Sequence, residues 1–318
     1  MMTSPSRNLF GTLLATAVLS SFLAMPRPVV AGEGGITHVI PGATATFSDL
    51  PGTSEAWFVK PMYLNYQASQ SATIPTAAGL TSNIDATANT FAIAVGRTFG
   101  TTILGGAHYT FAVALPYVWQ DISANLGPKA LKNKVDGFGD LTVLPVMLAW
   151  KSGNWQSDAT LAIYAPVGSY EKGRLGNPGL NYWTFDPVVG VIYANKATGF
   201  NAMLHVGYSM NTENADTNYQ SGSLFHAEAV IQQILPVGKG LLTLGAEGFY
   251  FDQMTCDSGE GAALGCFEGK TVGVGPVLGY IVPMGQRTLI MEFKWLPELN
   301  VEKRVEGDYL WAKMIYKF

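Results

Sequence analysis

A two-residue alternation of apolar with small or polar side chains, repeated along most of the chain, constrains this sequence more than any other feature. From Phe200 to Asn211, Phe200, Ala202, Leu204, Val206, Tyr208 and Met210 share one parity, and Asn201, Met203, His205, Gly207, Ser209 and Asn211 the other. Side chains with that period stand on opposite faces of a β-strand. The chain carries twelve such candidate strands, near 56–66, 89–99, 107–119, 138–151, 155–165, 184–195, 200–211, 223–235, 241–253, 271–283, 288–296 and 308–318. Several have the roughly 9–11 residues that a tilted strand needs to cross a bilayer. The first and fourth alternate poorly.

The connections alternate as regularly as the strands. Long ones (67–88, 120–137, 166–183, 212–222, 254–270, 297–307) take turns with short ones (100–106, 152–154, 196–199, 236–240, 284–287). Bacterial outer-membrane barrels have this asymmetry, with short turns at the periplasmic end and long loops outside. Aromatic residues near strand ends, among them Tyr109, Tyr117, Trp119, Trp295 and Tyr316, suit the two interfacial girdles of such a barrel. The sequence therefore predicts an all-β, antiparallel transmembrane barrel of about twelve strands in the cell outer membrane, bathed in its lipid. A closed barrel fits because lipid offers no partner for an unpaired backbone group. The last strand alternates to the end of the chain, which makes Phe318 the expected signal for the outer-membrane assembly machinery.

Arg7 followed by the uncharged apolar run Leu9–Ala24, with Val29-Val30-Ala31 behind it, reads as a secretory signal peptide over residues 1–31. Sixteen residues are short for an anchor crossing a hydrocarbon core of about 30 Å. Residues 32–55 then form a periplasmic or lumen-facing segment, and 56–318 the barrel. Loss of Arg7 and Arg27 reduces 19 basic residues to 17 against 23 acidic ones, which leaves no basic surplus for nucleic acid.

No nucleophile elbow, zinc-protease helix or phosphate loop is present, and no cofactor motif. His108, His205 and His226 are possible bases without a serine in a recognisable motif, so no enzyme is expected. No metal site is expected either. Cys256 and Cys266, close together in an exported chain, read as a disulfide in an outer loop. Strand parity places His205, Glu228, Glu247, Glu292, Lys294 and Lys313 inward. They either stiffen a narrow lumen or line a permeation path. Small residues such as Gly273, Gly275, Gly279, Ala112 and Ala114 share those inward faces, predicting a wall with few charges that suits apolar solutes.

A series of short motifs carries a resemblance: Gly137-Phe138-Gly139-Asp140, Ala165-Pro166-Val167-Gly168-Ser169-Tyr170, Gly176-Asn177, Asn181-Tyr182-Trp183-Thr184-Phe185-Asp186-Pro187, Tyr219-Gln220-Ser221-Gly222, Phe225-His226 and Gly273-Val274-Gly275-Pro276. In order and spacing they resemble the "MetA-pathway of phenol degradation" family of outer-membrane transporters. Cys256 and Cys266 stand outside that pattern. The resemblance implies a channel for passive uptake of small hydrophobic or aromatic compounds. The competing expectation is a non-transporting barrel whose long loops bind a surface partner.

Overall fold

The computed structural model describes residues 37–73, 81–126, 129–262, 266 and 268–318; the expected signal peptide lies outside them. Thirteen strands follow in chain order: β1 Ala56–Thr73, β2 Thr81–Ile103, β3 Ala107–Leu126, β4 Lys129–Phe138, β5 Leu141–Ser152, β6 Trp155–Ala165, β7 Thr184–Ala194, β8 Phe200–Asn211, β9 Leu224–Val237, β10 Gly240–Gln253, β11 Lys270–Met284, β12 Arg287–Glu302 and β13 Glu306–Lys317. They make twelve staves. β4 pairs with Tyr117–Leu126 of β3 and β5 with His108–Ala114 of the same strand, so the two are halves of one stave broken at Gly139-Asp140. Antiparallel pairing runs from each stave to the next, and β1 on β13 closes the ring, with Phe58 opposite Lys317. Trp57 and Phe318 exchange backbone hydrogen bonds of 2.8 and 2.9 Å where the closure ends.

The poor alternation of the fourth candidate strand has a local cause. Pro145 sits within β5, and the ladder slips on both sides of it, between Thr110 and Ala112 and between Val143 and Val146. A proline cannot donate to the ladder and is tolerated at such an irregularity.

Outward positions are large and apolar: Phe91, Ile93 and Val95 on β2, Phe111 and Leu115 on β3, Val189 and Val191 on β7, and Phe293 and Trp295 on β12 are all exposed. Their neighbours Ala92, Ala94, Ala112 and Lys294 are buried inside. Exposed and half-buried aromatics gather at two levels. Trp155–Tyr193 and Tyr316–Phe318 lie at the short-turn end, while Tyr117–Trp119–Phe138 and Trp183–Phe185 lie at the other. An apolar belt between aromatic girdles is the surface a membrane barrel presents to lipid.

The short turns fall where the sequence places them, with Gly153, Gly238 and Gly285 in the left-handed conformation such turns require. The other end needs correcting. Residues expected as loops at 67–88 and 120–137 are largely strand: β1 and β2 pair out to Thr73↔Thr81, and β3 and β4 out to Leu126↔Lys129. The expected loop at 297–307 shrinks to a three-residue turn between β12 and β13. At about 3.3 Å per residue, the 23 residues of β2 far exceed a bilayer span. Loops 166–183, 212–223 and 254–269 remain, the last closed by a Cys256–Cys266 disulfide.

Candidate functional site: a partly filled lumen

Residues 37–55 lie among the inward side chains. Val39 packs with Leu64, Phe249, Leu296, Tyr309 and Trp311, and Ala45 packs with Ile192, Met203 and Val230. Polar contacts hold the segment against one side of the barrel. The Asp49 carboxylate accepts from Lys60, and from Lys313 Nζ at 2.8 and 2.9 Å, with Lys294 Nζ 3.7 Å away. Burial alone would raise the pKa of Asp49, but the ammonium groups of Lys313, Lys60 and Lys294 outweigh it and hold the carboxyl well below the usual range.

The backbone is gripped as well. The Gly42 carbonyl accepts from Lys294 Nζ at 2.9 Å and Lys313 Nζ at 2.6 Å, and the Gly42 amide donates to Glu228 Oε1 at 3.3 Å. Trp311 Nε1 donates to the Pro41 carbonyl at 2.9 Å. Thr46 Oγ1 and Ser48 Oγ donate to Glu292 Oε1 at 2.7 and 3.0 Å. Behind them Glu247 Oε2 is 2.9 Å from Lys294 Nζ, an ion pair whose angles miss those of a well-aligned hydrogen bond. Five of the six inward ionisable residues named from parity thus form the cradle around this segment.

The sixth, His205, lies elsewhere. Its Nε2 is 3.3 Å from Asp158 Oδ2, and the ring lies over Gly190, where an added Cβ would sit 2.4 Å from Nε2. His226 repeats the arrangement: Nε2 is 2.9 Å from Asp186 Oδ1, over Gly207. Ser209 Oγ donates to that same Asp186 oxygen at 2.9 Å, so the carboxylate rather than the imidazole receives the serine, the reverse of an activated nucleophile. His108 is apart from both, near the short-turn end of β3.

A third pair is the one sequence reasoning missed. His38 places Nε2 2.8 Å from Asp140 and Nδ1 2.7 Å from Thr184 Oγ1, with its ring stacked on Tyr164. Asp140 occupies the break between β4 and β5 and also accepts from the Gly168 and Leu180 amides, at 2.9 and 2.6 Å. It therefore ties the N-terminal segment to loop 166–183. The motif Gly137-Phe138-Gly139-Asp140 held the signal, but nothing local tells a loop aspartate from a hub.

The remaining space is asymmetric. Among the described residues no hydrogen bond joins 39–50 to β2, β3, β4 or β5. On that side a cavity of about 830 Å³ opens, bordered by small or apolar side chains that include Ala88, Ala92, Ala114, Pro116, Val118 and Leu144. A second, of about 340 Å³, lies toward the short turns and touches Ala112, Gly153 and Lys196. The expectation of a lumen poor in charge holds only for this side. Even there Lys60, Asp140, Asp158 and Asp186 border the cavity, and elsewhere the interior buries Glu228, Glu247, Glu292, Lys294, Glu298 and Lys313. Gly273 and Gly275 face inward but border no open space: a Cβ on Gly273 would lie 2.3 Å from the Phe249 ring, and one on Gly275 1.8 Å from the Trp295 carbonyl oxygen.

A closed antiparallel ring with an apolar belt, two aromatic girdles and a polar interior defines an outer-membrane β-barrel. The chain belongs to the family described as "Putative MetA-pathway of phenol degradation", which matches residues 66–314. Among solved structures it is similar in fold to the COG4313 outer membrane channel from Pseudomonas putida F1, at 16% identity and a TM-score of 0.62, over 88% of this chain and all of that one. More distant likenesses are the β-domain of the Bordetella autotransporter BrkA (11% identity, TM-score 0.47, 83% of this chain and all of that one) and the transport unit of the Escherichia coli autotransporter AIDA-I (11%, 0.46, 91% and 95%). No curated protein matches the sequence.

Proposed function

We propose that this barrel is an outer-membrane channel for passive uptake of small hydrophobic or aromatic compounds. The observation that carries the reading is the 830 Å³ cavity, whose surface is mainly apolar although Lys60, Asp140, Asp158 and Asp186 also border it, running beside a segment that fills the rest of the lumen. That size and lining suit a small apolar molecule. A twelve-stave barrel falls between side-chain-filled small barrels and wide aqueous porins. The inward lie of Leu175, Pro178 and Leu180, which border the cavity from loop 166–183, favours a solute path over a loop-borne binding surface.

In this reading residues 1–31 direct export and are removed, Phe318 is read by the assembly machinery, and lipid covers the apolar belt. Purified protein in lipid vesicles should admit a small aromatic solute faster than protein-free vesicles do, and Ala112→Trp should slow it. Flux equal to that of protein-free vesicles refutes the channel.

A further inference from the structure

The two cavities meet at a single level of the barrel. Asp49, Pro51, Lys60, Ala94, Leu144 and Met147 border both. Strand pairing puts the barrel residues of this set side by side: Lys60 is opposite Ala94, Ala94 opposite Ala114, Ala112 opposite Leu144, and Thr110 opposite Met147. Ala114 borders only the larger cavity and Ala112 only the smaller, so the boundary crosses β3 between them. An arc from β1 through β5 therefore faces Asp49 and Pro51 of the N-terminal segment where the two cavities meet.

The two sides of this junction differ in chemistry. Ala94, Leu144 and Met147 offer only apolar surface. Lys60 offers an ammonium whose sole hydrogen-bond partner among the described residues is Asp49, which leaves donors for an oxygen on a solute. Asp49 itself is fixed by three lysines, and the hydrogen bonds of residues 41–49 to the barrel all run to β1, β9, β12 and β13.

We propose that these six residues form the neck of the solute path and set its specificity: it passes molecules with a small apolar body against Ala94, Leu144 and Met147 and one oxygen-bearing group, a carboxylate above all, turned to Lys60. The N-terminal segment stays docked while solute moves past its free side. This rests on the channel reading and deepens it.

The test uses folded full-length barrel in lipid vesicles, with benzoate and the bulkier 2-naphthoate as probes. Migration on unheated gels confirms that each variant has closed its barrel. Ala94→Phe should cut naphthoate entry about tenfold and benzoate entry less, whereas Met147→Ala should raise naphthoate relative to benzoate. Lys60→Met should lower benzoate entry; if the segment had to leave its cradle, losing this tether would raise entry instead. A naphthoate-to-benzoate ratio unchanged in both Ala94→Phe and Met147→Ala, or faster entry in Lys60→Met, overturns the neck while wild-type flux leaves the channel standing. Wild-type flux no faster than that of protein-free vesicles overturns the channel and the neck together.

Discussion

Replacing Asp49 by asparagine keeps the side chain's shape and removes the anion that three buried lysines share. Removing one partner of a buried ion pair costs about 3–5 kcal/mol, because a charge is left without compensation. Lys294 keeps Glu247 at 2.9 Å and Lys313 keeps the Gly42 carbonyl at 2.6 Å, so the lower end, about 3 kcal/mol, applies. None of the strand ladders involves Asp49, so the loss falls on docking of the N-terminal segment and not on the barrel. At about 1.4 kcal/mol per factor of ten, the undocked population should rise roughly 100-fold. Ala45 is wholly buried against Ile192, Met203 and Val230, which makes an Ala45→Cys thiol a reporter of docking. The two native cysteines are joined to each other and do not react. A membrane-impermeant maleimide should label the Ala45→Cys thiol roughly 100-fold faster when Asp49→Asn is added, with barrel migration on gels unchanged. Equal labelling rates in the two backgrounds would refute the account of Asp49 as the lock.

Four further outcomes follow from named contacts. The Asp49 carboxyl is depressed in the folded state, so the stability it contributes is fully present above the unfolded value near ~3.9 and is lost progressively as pH falls from there through the lower folded one; labelling of Ala45→Cys alone, divided at each pH by that of a free thiol to remove the change in thiolate fraction, should therefore stay flat from neutral pH down to about 4. Gly190→Ala forces a Cβ to 2.4 Å from His205 Nε2 and should lower stability by about 1–3 kcal/mol, read as an earlier midpoint in urea unfolding. Cys256→Ser opens the 254–269 loop, and at roughly 2–3 kcal/mol for so short a closure it should speed proteolysis there while the barrel stays protease-resistant. Deleting Phe318 removes its paired backbone bonds with Trp57 and should reduce outer-membrane assembly without blocking export, seen as folded barrel in fractionated membranes.

The staves were legible because lipid outside and polar groups inside impose opposite demands on alternate residues. All twelve candidate strands fall on staves. Above the lipid that contrast disappears: Gln67-Ala68-Ser69-Gln70 and Lys132-Asn133-Lys134 read as loops although they pair as strands. Parity also put Glu228, Glu247, Glu292, Lys294 and Lys313 inside. It could not say what they hold, because the ligand is a distant piece of the same chain: Asp49 meets Lys313 across 264 positions. His38 and Asp140 escaped for the same reason.

Fastening the N-terminal segment to one wall has a consequence for how such a protein can diversify. The charged residues that keep the lumen partly shut lie on β1, β9, β10, β12 and β13, and most of the small residues beside the open space lie on β2, β3 and β5. Substitutions at Ala88, Ala92 or Ala114 can reshape the passage without disturbing a single contact of Asp49. On the channel reading, closure and solute choice are thus separately mutable in this barrel except at Lys60 and Asp49, which belong to both, and a lineage facing a new compound can retune one wall while the other keeps the N-terminal segment in place.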